Sequence, residues 1–161
     1  MSSEAFTLPP SPVTVIGQAR AVIADLRHKM WAAEPADSLL ETVTEVERLK
    51  SELEAIELAA IAEAEATKAA PKDGYASAAD FVTAVGGGHN GYGSSSVRLA
   101  KALTGDREAT HQAMAAGWLS RAKAQVIVRT IDALPIKPAL RDRAEQAMLQ
   151  HARTLNASDL A

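Results

Sequence analysis

Few residues in this chain have the type and spacing that chemistry requires. His89 and Asn90 lie in the glycine-rich stretch GGGHNGYG, residues 86–93, and Glu108 and His111 stand three apart on a predicted helix. A histidine base beside a ligand-held metal activates water against a polarised phosphate. No second histidine follows His89 at useful spacing, so that site lacks its ligands. A Glu-x-x-His pair is half of a dinuclear carboxylate site, which needs a second such pair and two more glutamates. The chain has no second copy, and His28 and His151 are isolated. The glycine stretch precedes a helix start, where free N–H groups attract anions. No strand leads into it and no lysine-serine or lysine-threonine pair follows, so neither nucleotide-binding fingerprint is met. These residues predict no catalytic group, no metal site, no cofactor and no small-molecule ligand.

Two other sets of residues point to surfaces. Arg98 and Lys101 on one short helix, with Arg121, Lys123 and Arg129 on the next long one, are the candidate nucleic-acid contacts. Successive short helices over 94–117 and 120–134 are the raw material of a helix-turn-helix reader. Base reading needs several side chains at base edges, and Asp106, Glu108 and Asp132 are interspersed among these cations. The second set is Leu39, Val46, Leu49, Leu53 and Ile56, with Ala60 continuing the seven-residue repeat. This is a seam of coiled-coil type with glutamate-rich flanks. It serves either to pack a long helix on its own domain or to pair two copies as a homodimer.

The elements that must carry these residues are all helical. The stretch from Gly117 to Pro135 reads as a central helix. Ser120 is its N-cap, Pro135 marks its end, and Ala124, Ile127, Val128, Ile131 and Leu134 form its buried stripe. Trp118 reads as a packing anchor. A first helix is predicted from Val13 to Trp31, with Val15, Ala19, Val22, Ile23, Leu26 and Met30 on one side. A long helix follows over about 37–69, capped by Asp37 or Ser38, and a turn spans Pro71–Gly74. Ser77 caps a short helix with Phe81 and Val85 pointing inward, and another begins at Ser94–Ser96 and ends at Gly105. Thr104 or Asp106 caps the next, and a last full helix covers 139–155. The fold class is therefore an all-α, multi-helix bundle with one long helix, several short ones and no sheet. Its divisions are an arm over 1–12, a helical domain over 13–156 with the short-helix bundle at about 77–155, and residues 157–161 entering a further helix capped by Ser158. That last helix is expected to be truncated.

Composition fits this picture. Hydrophobic residues make up 47% but aromatics only 4%, so alanine and branched aliphatics supply the core. There is no cysteine, which excludes disulfides and thiolate metal sites and suits a reducing compartment. The N-terminus has no basic patch followed by an apolar run, as a secretory signal would. No apolar run reaches the roughly 20 residues of a membrane span. A cytoplasmic protein without membrane contact is expected. The net charge of −3 divides into −7 over residues 1–93 and +4 over 94–161, so only the second half offers a mildly basic face to phosphate.

The pieces GYASAADFV, GGGHNGYG, ALTG, the GWLSRAKAQVIV run, IDALP, RAEQAML and LNASDLA occur in an order and spacing that resembles the actinobacterial domain of unknown function 222, also called the 13E12 repeat family. Phe81 stands where that family often has tryptophan. The resemblance implies a helical domain lying upstream of an HNH endonuclease module and concerned with DNA engagement or assembly, not itself an enzyme. Three functions are therefore expected to compete: a DNA-binding accessory domain, a dimerisation or protein-interaction scaffold, and a truncated nuclease remnant without independent activity.

Overall fold

A computed structural model of the chain describes residues 10–135 and 137–161. Most of the predicted N-terminal arm, residues 1–9, lies outside the described residues. Among the described residues there are helices and 3-10 turns and no strand, so the protein is all-α. The chain divides into two units, Met1–Glu41 and Thr42–Ala161.

In the first unit, helix α1 spans Pro12–Ala24. Pro12 opens it, where its missing N–H costs no hydrogen bond, and the Ser11 hydroxyl accepts from the Thr14 N–H at 3.3 Å. The helix predicted to reach Trp31 stops at Ala24 and gives way to 3-10 turns at Asp25–His28 and Trp31–Ala33. Its predicted inner side is not buried: α1 has no buried residue, and Val15, Val22, Ile23, Leu26 and Met30 are all exposed. Lys29 pairs with Glu34 at 2.6 Å, and the Ser38 hydroxyl donates to the same carboxylate. These bonds hold the Glu34 carboxyl below its ordinary range.

Helix α2, Ala36–Ala66, begins before Asp37 and Ser38, which occupy its first turn instead of capping it. Its contribution to the second unit is a stripe of Ser51, Ala55, Leu58 and Ile61, all buried, at helical spacing. The Ser51 hydroxyl donates to the Leu119 carbonyl and so ties this stripe to the residue before the central helix. The helix ends at Ala66, not Ala69, because Lys68 adopts φ 50°. A short helix α3, Ala69–Lys72, then occupies part of the predicted turn, with Pro71 in its first turn, where no donor is required.

Helix α4, Ala78–Val85, is capped by Ser77 as expected. The Ser77 hydroxyl accepts from the Asp80 N–H at 3.2 Å and donates to the Asp80 carboxylate at 2.8 Å. Its inward residues are Ala78 and Val82; Phe81 and Val85 are exposed, contrary to expectation. The cause is the crossing with α5, Tyr92–Thr104. A Cβ on Gly93 would lie 1.8 Å from the Ala79 carbonyl oxygen, so the two backbones touch there. The Gly93 N–H donates to Thr83 Oγ1 at 3.1 Å, and that hydroxyl donates to the Ala79 carbonyl at 2.8 Å. This contact sets the roll of α4. Helix α5 starts at Tyr92, two residues before the predicted serines, because Gly91 at φ 90° takes the cap position.

Helix α6, Glu108–Ala115, is not capped by Thr104 or Asp106. Its N-cap is Arg107, whose side chain caps nothing. The acceptor comes from α8, Pro138–Ala152: Glu145 Oε1 receives the Thr110 N–H at 2.8 Å and the Thr110 hydroxyl at 2.6 Å. Both residues are buried, and a carboxylate at a helix N-terminus is favoured by the aligned peptide dipoles. Helix α7, Arg121–Asp132, has the predicted Ser120 cap and buries Ala124, Ile127, Val128 and Ile131. Leu134 lies beyond its end and is only partly buried. Helix α8 ends at Ala152, short of the predicted Leu155. Helix α9, Ala157–Leu160, is capped by Asn156, not Ser158. The Asn156 side chain accepts from the Ser158 and Asp159 N–H groups at 2.9 Å, and Leu160 is buried.

Substitutions at two positions test this packing. Gly93→Ala is expected to destabilise by about 1–3 kcal/mol through backbone overlap. Glu145→Ala strands the Thr110 donors and is expected to cost about 1–3 kcal/mol, with Glu145→Gln milder because an acceptor remains. Urea unfolding of the three variants measures both effects; an unchanged Glu145→Ala midpoint would show that α6 does without its borrowed cap.

Candidate functional site

The residues with catalytic potential do not converge. His89 and Asn90 are exposed on the glycine loop. That loop folds over a ring instead of opening as a cradle: a Cβ on Gly86 or Gly88 would come within 2.8 Å and 2.6 Å of Tyr92 ring atoms. Glu108 accepts from Gln112 Nε2 at 3.1 Å, whereas His111 Nε2 donates to the Ala55 carbonyl at 3.2 Å. The Glu-x-x-His pair is thus divided between its own helix and α2. Among the described residues no group of three or more His, Asp or Glu side chains could hold a metal ion. No helix among them is long and apolar enough to cross a membrane.

The five candidate cations separate into two groups. Lys101 pairs with Glu65 at 2.9 Å. Arg121 stacks over Tyr92 at 5.3 Å, donates to the Ser96 hydroxyl and faces Glu57 at 3.5 Å. Lys123 Nζ donates to the Ala152 carbonyl at 2.7 Å, at the end of α8 where partial negative charge collects. These three contribute to joining helices. Arg98 and Arg129 are exposed and line one cavity of about 610 Å³ between α5, α7 and α9. Ser95, Gln125 and Ser158 share its wall, over Leu99, Val126 and Val128. Asp132 also lines it, but its carboxylate is held at 3.1 Å by the buried Arg107. Trp118 is partly buried and carries Arg153 over its ring at 4.3 Å, which suits the expected packing role.

The seam lies apart from the stripe that packs α2. At 3.6 residues per turn, the seam residues centre roughly 180° from Ser51, Ala55, Leu58 and Ile61. Val46, Leu49, Leu53 and Ile56 are 43%, 37%, 41% and 51% exposed. Packing on its own unit is therefore not what the seam does. Leu39, in the first unit, is partly buried. Charged pairs flank the seam at Arg48–Glu45 and Lys50–Glu47, each 2.7 Å. Burial raises the pKa of the Glu54 carboxyl beside it, partly offset by the Arg121 charge.

One surface was not foreseen. Between α2, α3 and α4 lies an apolar groove of about 370 Å³, with buried Ile61, Ala70, Ala78 and Val82 along it and exposed Phe81 and Val85 at its edge. Its only charged lining residues are Glu57 and Asp73. The alanine-rich end of α2, with Phe81 and Val85 four apart, was the available signal. It could not be read without the roll of α4.

A family model described as a domain of unknown function (DUF222) matches residues 40–161. No match was found among curated proteins or among solved structures.

Proposed function

We propose, for a chain that belongs to the DUF222 family of domains of unknown function, that it is a non-catalytic helical accessory domain that works by presenting surfaces. Its leading role is self-association through the α2 seam. The observation that carries this is the side of α2 on which the seam lies. Val46, Leu49, Leu53 and Ile56 are exposed, while a different stripe of the same helix packs on the domain. A continuous apolar line left in water on a charged helix favours a partner of the same kind. Alanine at position 60 and valine at 46 keep the seam moderate in strength, in keeping with a reversible dimer.

A second role is contact with nucleic-acid phosphate, supported by the convergence of Arg98 and Arg129 on one open cavity. It accords with an accessory place beside an HNH endonuclease module, which the sequence pattern suggests. The other three cations have intramolecular duties, so the footprint on phosphate is small.

Sedimentation over a concentration series is expected to show a dimer that dissociates on dilution. Leu53→Lys is expected to raise its Kd by roughly 10- to 100-fold per seam copy altered, with helix content unchanged. A wild-type monomer throughout removes self-association. For phosphate contact, mobility shift on duplex DNA is expected at low salt. Arg98→Glu with Arg129→Glu should abolish most of it and lower the salt slope by about 2. Absence of any shift at low salt eliminates direct binding.

A further inference from the structure

We infer that Arg107, which does not line the cavity between α5, α7 and α9, sets how strongly that cavity holds phosphate. It does so by keeping the one acid among the lining residues, Asp132, off Arg129. The inference rests on the reading of Arg98 and Arg129 as phosphate contacts, and it adds the residue that governs them.

The cavity wall carries two cations and one acid. Arg98 comes from α5, and Arg129 and Asp132 from α7. Arg129 and Asp132 stand three apart, a step at which side chains share a helix face. Elsewhere in the chain that step gives ion pairs, Glu45 with Arg48 and Glu47 with Lys50, each at 2.7 Å. The order of charges is reversed at Arg129–Asp132, but the shared face is the same. Yet no ion pair joins these two. The Asp132 carboxylate is held at 3.1 Å by Arg107 Nη2 instead. Among the described residues neither Arg98 nor Arg129 has an ion pair or a side-chain hydrogen bond.

Asp132 is not at liberty to change partners. Arg107 is only 2% exposed, whereas the Asp132 side chain is 53% exposed. The Arg107 Nη1 donates to the Asp106 carbonyl at 2.7 Å, and its Nε has no partner. Asp132 is the one carboxylate paired with this buried guanidinium among the described residues. Its departure would leave a buried charge uncompensated. Arg129 is exposed, and water solvates it at little cost when it stands alone. The Arg107–Asp132 pair is therefore the one that persists, and Arg129 keeps its N–H groups for another acceptor. A guanidinium meets phosphate oxygens through two parallel N–H bonds. With Asp132 tied down, both arginines of the cavity can bind in this way; with Asp132 released, Arg129 would turn to it.

Binding of a labelled DNA duplex, followed by fluorescence anisotropy over a salt series, reads the number of phosphate contacts from the slope. Arg107→Gln is expected to lower affinity roughly two- to five-fold, the worth of one exposed ion pair. The salt slope should fall by about 1. Adding Asp132→Asn to Arg107→Gln should return both towards the wild-type values, because an amide does not neutralise Arg129. A purely structural role for Arg107 predicts a loss that Asp132→Asn leaves unrepaired, and that result overturns the inference. An Arg107→Gln protein that folds and binds as the wild type does is equally fatal to it. Should Arg107→Gln fail to fold, two exposed positions carry the test. Gln125→Glu, on the cavity wall four residues before Arg129, introduces an acid that nothing holds and should lower the slope by about 1. Asp132→Asn in the wild-type background should not raise it. A slope raised by about 1 in Asp132→Asn would mean that Asp132 already occupies Arg129, and a slope unmoved by Gln125→Glu would mean that an unheld acid there is harmless; either overturns the inference. Inorganic phosphate, titrated against the same proteins while the Arg129 side-chain NMR signal is followed, separates the two readings. Phosphate binding with this loss and rescue, but no duplex binding, removes the nucleic-acid reading and supports the role of Arg107. If the wild type binds neither, both fall.

Discussion

A helix with apolar residues on two opposite sides can turn only one of them toward its own domain. In α2 the inward side is the narrow one, Ser51, Ala55, Leu58 and Ile61. The Ser51–Leu119 bond and the contact of His111 with the Ala55 carbonyl anchor it to the α6–α7 region. Arg121 and Lys101 reach back to acids on α2 at Glu57 and Glu65, and the wider seam of larger aliphatics is left outside. A larger residue at Ser51 or Ala55 would not fit beneath those neighbours, whereas Leu53 and Ile56 meet no such limit.

Two further constraints act at long range. The close passage of Gly93 over the Ala79 carbonyl rolls α4 and thereby exposes Phe81 and Val85. Glu145, thirty-five residues from Thr110, supplies the acceptor that α6 lacks at its start. Buried donors must find a partner, and here the partner couples two helices that a local cap would have left independent. Arg107 plays a similar part, buried itself while it holds the exposed Asp132.

The same economy explains the modest basic surface. Of the five cations on α5 and α7, three serve as helix-to-helix connectors, two of them pairing with acids of α2. What the second unit leaves exposed is more apolar than cationic: the seam of α2 and the groove beside α4. Arg98 and Arg129, exposed at one open cavity, are the polar exception.

Local chemistry made much of this legible in advance. Ser77 and Ser120 were identifiable as caps and the α7 stripe as core, because a cap and a 3.6-residue period depend on near neighbours alone. The all-α class followed from the same periodicity, and the family from the order of its short motifs. Which of two apolar sides α2 would bury was not legible, since both have helical spacing and the outcome depends on which side its neighbours can approach. Nor could Phe81 and Val85 be assigned, because the roll of α4 is decided by Gly93, eight and twelve residues away on another helix. The cap at Thr110, the internal duties of Lys101, Arg121 and Lys123, and the meeting of Arg98 with Arg129 all arise from residues distant in sequence. They exist only once the helices are packed, and packing is a property of surfaces in three dimensions that no local pattern encodes.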